Sequence, residues 1–340
     1  MTENRQVLLT DRPTGIPQAH HFAIASSPVP PLADGQILVR NAFLSVEPTM
    51  RGWVNLAPNY LPPVEIGAVM RSYAVGRVIE SRHSAYQPGE AVTGMFGWQE
   101  WAAVDAAAVE RKVDHGITAG LPISTSLGVL GLNGLTAYFG LLDVGVPRAG
   151  DTVVVSTAAG SVGSCVGQIA RIAGCRTVGI AGGSEKVALC QDVFGFDAAL
   201  DYRTADLDAA LAEACPAGVD VYFDNTAGAV SDAVLRHLAT RARVVICGTA
   251  SVSDWSTFPL GPRVERHVLV KRAHIAAVLA FDYTSRYPEG LARLAAWVRS
   301  GQIAYREDIL EGIDHAPNAI AGLYAGTNMG KRLIHVGPDT

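Results

Sequence analysis

Residues 36–46 (QILVRNAFLSV), 73–81 (YAVGRVIES) and 90–104 (EAVTGMFGWQEWAAV) alternate apolar and polar positions over short stretches separated by turn formers. Successive side chains of an extended chain point to opposite faces, so a period of two marks half-buried strands. Strands at this spacing predict a β-rich barrel or sandwich over residues 1–126. The pattern changes near Leu127. From there to residue 305, apolar runs at 151–157, 176–182, 197–202, 220–225 and 242–248 alternate with helical segments at 161–174, 184–195 and 229–239. Short buried strands between amphipathic helices predict an α/β domain with a doubly wound parallel sheet. Residues 306–340 end in KRLIHV (331–336), a strand-like run expected to return to the first domain, because the α/β pattern has already closed.

Composition narrows the class. The 340 residues are 49% hydrophobic and 17% charged, which suits two domains with their own cores and excludes disorder. No apolar run approaches the about 20 residues that a membrane span needs. A net charge of −5, from 27 basic and 32 acidic residues, excludes a generic nucleic-acid binder. The N-terminal segment has no basic stretch followed by an apolar one, so no secretory signal is expected. The five cysteines (Cys165, Cys175, Cys190, Cys215, Cys247) are odd in number and form no CxxC pair. A reducing cytoplasm is therefore expected rather than a disulfide framework. The first 164 residues hold no cysteine, so a zinc-free protein is expected.

The segment 151–174 runs from a buried strand through Ala158-x-Gly160-x-x-Gly163 into a helix with apolar residues at Val166, Ile169 and Ile172. Glycines there permit a tight turn and close backbone approach, while amides at the helix start meet a pyrophosphate. The bland alternative is a tight turn that binds nothing. The next strand bears on the cofactor. An NAD site places an acid at its tip to accept from the ribose 2′-hydroxyl, but this strand ends Ala181-Gly182-Gly183-Ser184, with Lys186 one turn into the helix. Small residues leave room for a 2′-phosphate and lysine compensates its charge, so NADP is expected over NAD. Tyr202 closes the following strand, placed to offer a hydroxyl or stack on adenine.

LSVEPTMRG (44–52), NYLPPVEIGAVM (59–70), GWQEW (97–101), residues 131–164, VGIAGGSEK (178–186), DVYFDN (220–225), VICG (245–248) and GTNMGKRL (326–333) together resemble the zinc-free medium-chain dehydrogenase/reductases. The branch is that of prostaglandin reductase 1, plant double-bond reductases and bacterial curcumin reductase. The resemblance implies a GroES-like catalytic domain (1–126), a Rossmann NADP-binding domain (127–305) and a C-terminal segment (306–340) that rejoins the first. It implies NADPH-dependent reduction of the C=C bond of α,β-unsaturated aldehydes and ketones, and a homodimer. It also carries over cofactor contacts: Ala159, Gly160, Ser161, Val162 and Gly163 at the phosphates, and Gly182, Lys186 and Tyr202 at the adenosine. Asn225, Cys247, Gly248, Thr249, Val278, Ala280 and Asn328 lie further along the cofactor.

Departures from the family are specific. Relatives read DPYMR where this chain reads EPTMR, so Thr49 replaces an active-site tyrosine. Ser253 stands where relatives carry a second tyrosine, with Trp255 two residues beyond; Thr49, Trp255 and Tyr283 are the expected pocket residues. Tyr73 is the phenol expected to act on the enolate, beside Ser253, against the alternative that it packs the barrel. Quinone or carbonyl reduction on the same scaffold, and a non-catalytic NADPH-binding protein, are the competing functions.

Overall fold

The computed structural model describes residues 2–57, 59–113, 115–252 and 260–338. These fall into two compact units, residues 1–128 with 307–340, and residues 129–306.

The first unit opens with β1 (Glu3–Leu9) and β2 (Phe22–Pro28), an antiparallel pair. Then follow β3 (Gln36–Ser45), the short helix α1 (Met50–Trp53), β4 (Ala74–Ser81), β5 (Ala91–Gly94), β6 (Trp101–Asp105) and β7 (Val109–Lys112). β3, β4, β5 and β7 lie antiparallel in that order, and β6 also pairs with β3. The run 90–104 therefore divides into β5 and β6 around Gly97, whose φ of +78° turns the chain. Val7, Leu9, Leu44, Met50, Trp53, Met70, Phe96 and Trp98 share one core.

The second unit begins with α2 (Leu132–Phe139), β8 (Thr152–Ser156), α3 (Ser161–Ile172), β9 (Arg176–Ala181), α4 (Ser184–Ala188) and β10 (Ala198–Asp201). It continues through α5 (Leu207–Ala214), β11 (Val219–Asp224), α6 (Gly228–Arg236), β12 (Leu238–Ile246), α7 (Glu265–Lys271), β13 (His274–Ala277) and α8 (Tyr287–Arg299). The sheet order is β10-β9-β8-β11-β12-β13, every pairing parallel. β8 (TVVVS) is buried along its whole length, as expected of a strand with helices on both faces. The strand order reverses between β8 and β11, the point where such sheets bind ligands at their carboxyl ends.

The pattern erred at element ends, for local reasons. The helix expected over 161–174 stops at Ile172 because Gly174 takes a φ of +81°. The helix expected over 184–195 passes after Ala188 into a π-turn over Leu189–Val193. β12 starts four residues early, through a polar stretch in which Arg241 has a φ of +64°. The chain then re-enters the first unit as β14 (Glu307–Glu311), α9 (Ala316–Tyr324) and β15 (Lys331–His335). β15 is parallel to β14 and antiparallel to β3.

Candidate functional site

In the second unit the candidate residues gather at the carboxyl ends of the strands. β8 passes through Thr157 (φ +54°) and the buried Ala158 and Ala159 into α3, with Gly160 at the cap. A Cβ on Gly163 would lie 2.3 Å from the Thr157 carbonyl oxygen, so the turn closes only around glycine. Gly160 has no side chain to cap the helix, and the first-turn amides of Ser161, Val162 and Gly163 have no partner within it. A helix start with open amides and a positive dipole end suits a phosphate.

At the tip of β9, Gly182 and Gly183 sit beneath the next strand's end. A Cβ on Gly182 would meet Tyr202 Cε1 at 2.9 Å and Arg203 Nε at 3.0 Å, and the Arg203 guanidinium lies 5.9 Å from the Tyr202 ring centre. Lys186 is half-buried in α4. Arg203 has no motif to mark it; its signal in the sequence is a cation directly after the strand-ending tyrosine. The structure also brings an acid here from the neighbouring strand. Asp201 Oδ1 accepts from the Gly183 and Arg203 amides, each at 3.0 Å, and those bonds hold its carboxyl below the usual carboxylate range. Its charge serves the backbone, and the Arg203 cation lies beside it.

At the switch point Asp224 is the organiser. It accepts from the Tyr222 hydroxyl (3.0 Å), the Ser231 hydroxyl (2.5 Å) and the amides of Thr226 and Ala227 (both 2.9 Å). Asn225 spends its side-chain N–H on the Ser156 carbonyl at 2.7 Å, tying β11 to the residue before the Thr157–Gly160 turn. Cys247 and Gly248 donate their amides to the Asp224 carbonyl, and Val278 donates to that of Ile246. Burial and the charge of Asp224 push the Cys247 thiol up to about 12, so it is a neutral filler rather than a nucleophile. Thr249 is exposed and Ala280 buried. The Tyr283 ring stacks on Phe139 at 4.6 Å.

The remaining candidates belong to the first unit. Thr49, half-buried, precedes α1, and its hydroxyl hydrogen-bonds that of Tyr60. Tyr73 is 8% exposed, and its carbonyl accepts from the Ser45 amide and the Ser72 hydroxyl. Asn328 is buried and gives its side-chain N–H to the Gly330 carbonyl at 2.8 Å. Ser253 and Trp255 lie outside the described residues. Among the described residues, no three His, Cys, Asp or Glu side chains stand together as a metal site.

Comparison with known proteins adds to this geometry. Residues 5–112 match a family described as the N-terminal domain of oxidoreductase, and residues 161–297 one described as zinc-binding dehydrogenase. The chain is 42% identical over 341 residues to the NADPH-dependent curcumin reductase of Escherichia coli (strain K12), covering 99% of this chain and 98% of the relative. It is 35% identical to the NADP(+)-dependent 2-alkenal reductase of Nicotiana tabacum, over 98% of this chain and 97% of the other. The crystal structure of CurA in complex with NADPH from Vibrio vulnificus superposes with a TM-score of 0.92 at 40% identity, covering 98% and 99% of the two chains.

Proposed function

Because the chain belongs to the medium-chain dehydrogenase/reductase family, we propose that it reduces the C=C bond of α,β-unsaturated ketones and aldehydes with NADPH. One observation carries the cofactor side: a β9 tip without an acid of its own, faced by Tyr202 and Arg203 and followed by Lys186. The residues present fit a dinucleotide bearing a 2′-phosphate. The reaction class rests on end-to-end likeness to reductases of curcumin and 2-alkenals.

In this reading the amides of Ser161 to Gly163 hold the pyrophosphate, while Lys186, Arg203 and the Tyr202 hydroxyl hold the 2′-phosphate. Asn225 keeps the ends of β8 and β11 in register beneath the cofactor, and backbone at Val278 and Ala280 lies toward the nicotinamide end. Bound NADPH supplies a hydride for the substrate's β-carbon. The protein's share is to orient the enone and place donors where negative charge grows on its oxygen. The test is a panel of enones, quinones and saturated ketones with NADPH, followed at 340 nm with and without EDTA, products identified by mass and NMR. Saturated carbonyl products and unchanged rates in chelator are expected. Alcohol or quinol products, or loss of activity in EDTA, would overturn the reading.

A homodimer fits the outer edge of the parallel sheet. All four residues of β13 are exposed, and β13 pairs only with β12 among the described residues. Leu269 (77% exposed) and Val270 (56%) on α7 add apolar surface nearby in sequence. A second copy pairing along β13 would cover an edge that otherwise invites aggregation. Light scattering is expected to give twice the chain mass of 35.8 kDa; the single mass would exclude it.

A further inference from the structure

We propose that Asp201 is a positioning residue for NADP selection, one carboxylate oxygen locking together the two turns that carry Arg203 and Lys186. The proposal rests on the reading of this corner as the 2′-phosphate site, and every residue it uses lies in the second unit.

By charge alone, a carboxylate this close to a phosphate site is unfavourable. Its hydrogen bonds give Asp201 another role. Asp201 is the last residue of β10 and pairs in register with Ala181, the last residue of β9. Its Oδ1 reaches across to the Gly183 amide and back to the Arg203 amide, each at 3.0 Å. One oxygen therefore ties the turn after β9 to the turn after β10. The Asp201 carbonyl also accepts from the amides of Thr204 (3.3 Å) and Ala205 (3.0 Å), so the same residue closes the second turn.

Each turn carries a cation. On the β9 side Gly183 takes a φ of +96°, a conformation that favours glycine, and its carbonyl accepts from the Lys186 and Val187 amides, both at 3.1 Å. Fixing Gly183 thus fixes the first turn of α4 and the backbone of Lys186. On the β10 side the Arg203 side chain lies over the β9 tip. A Cβ on Gly182 would stand 3.0 Å from Arg203 Nε, and one on Gly183 would stand 4.0 Å from its Nη1. Amide bonds to a carboxylate are charge-assisted and stronger than those to a neutral acceptor. They also hold the Asp201 carboxyl below the usual carboxylate range, so the lock is ionised at neutral pH. Turns ordered before a ligand arrives need not be ordered by it, which favours affinity. Charge and position therefore predict opposite signs. If Asp201 acted only by its charge, removing it would tighten NADP; if it acts by position, removing it loosens NADP.

The test measures Kd for oxidised NADP and oxidised NAD by calorimetry, with no substrate present. The variants are Asp201→Ala, Asp201→Asn, Arg203→Ala, and Asp201→Ala combined with Arg203→Ala. Asp201→Ala is expected to raise Kd for NADP about ten-fold and to leave that for NAD within about two-fold. Asp201→Asn keeps an acceptor oxygen without the charge and should fall between the parent and Asp201→Ala. Because Asp201 acts partly through Arg203, the double variant should lose less than the product of the two single losses. Unchanged or tighter NADP binding in Asp201→Ala would overturn the proposal. So would equal weakening of both dinucleotides, the mark of a merely structural role, or losses that multiply in the double variant. If Asp201→Ala does not fold, Asp201→Asn decides alone: a NADP Kd above the parent's with NAD unchanged supports the lock, and any other result overturns it. A parent that binds both dinucleotides equally would sink the 2′-phosphate reading and the proposal with it. A parent selective for NADP whose Asp201→Ala variant is equally selective would sink the proposal alone.

Discussion

Replacing Lys331 by Met is expected to destabilise the first unit by about 3–5 kcal/mol, the usual cost of breaking a buried ion pair from one side. Lys331 is 4% exposed, and its ammonium donates to Ser45 Oγ (2.6 Å), the Val46 carbonyl (3.2 Å) and Glu47 Oε1 (2.6 Å). Three donors thus meet three acceptors. Burial drives the lysine pKa down from its ordinary value, and the charge of Glu47 opposes that. Methionine fills similar space, so packing changes little. The damage is electrostatic, because Glu47, 5% exposed, is left as a carboxylate without its cation. A domain of this size loses about 2–4 °C per kcal/mol, so the melting temperature should fall by roughly 10 °C. Adding Glu47→Leu removes the stranded charge and should recover most of the loss. A single variant within 1 °C of the parent would show that the pair contributes nothing.

Removing the charge of Lys186 should raise KM for NADPH about ten- to hundred-fold, since a charge-assisted contact is worth roughly 1.5–3 kcal/mol. KM for NADH should barely move, because NADH has no 2′-phosphate to lose. Arg203→Ala on the same background should widen the effect, as its guanidinium stands over the β9 tip beside Tyr202. Removing both cations leaves the Asp201 carboxylate, which accepts from the Gly183 amide, without a cation beside it, and its hydrogen bonds hold its carboxyl below the usual range. The double variant is therefore expected to turn toward NADH. Equal use of both cofactors by the unmodified protein would refute the assignment of this corner to the 2′-phosphate.

What the sequence revealed was what it encodes locally. The glycine turn was legible because strand, glycines and helix are contiguous, and the order of β8, α3 and β9 follows from apolar runs largely buried in a parallel sheet. The NADP preference was legible from Gly182 and Gly183, which replace an acid at a known distance. Arg203 was not, because it reaches the β9 tip only as a side chain lying over the neighbouring strand's end. Tyr60 and Thr49 were both in view, yet nothing in their spacing says that the hydroxyls meet. Lys331 and Glu47 are 284 positions apart, beyond any local pattern. β12 hid its start because its polar residues Thr240 and Arg241 break the apolar run.

The return of β15 to β3 has a consequence for synthesis on the ribosome. The second unit is one continuous stretch, so it can fold as soon as residue 306 has emerged. The first unit emerges earlier but waits, since β15 supplies both a neighbour for β3 and the cation for Glu47. Until then Phe43–Ser45 of β3 lack their β15 neighbour, although β4 and β6 already flank the strand, and Glu47 lacks the Lys331 ammonium. A chain cut short before β14 would keep its parallel sheet yet carry a permanently unfinished first unit, a ready target for chaperones and proteases. Residues 307–340 thus act as a checkpoint: the first unit closes only after the whole second unit and this returning segment have been made.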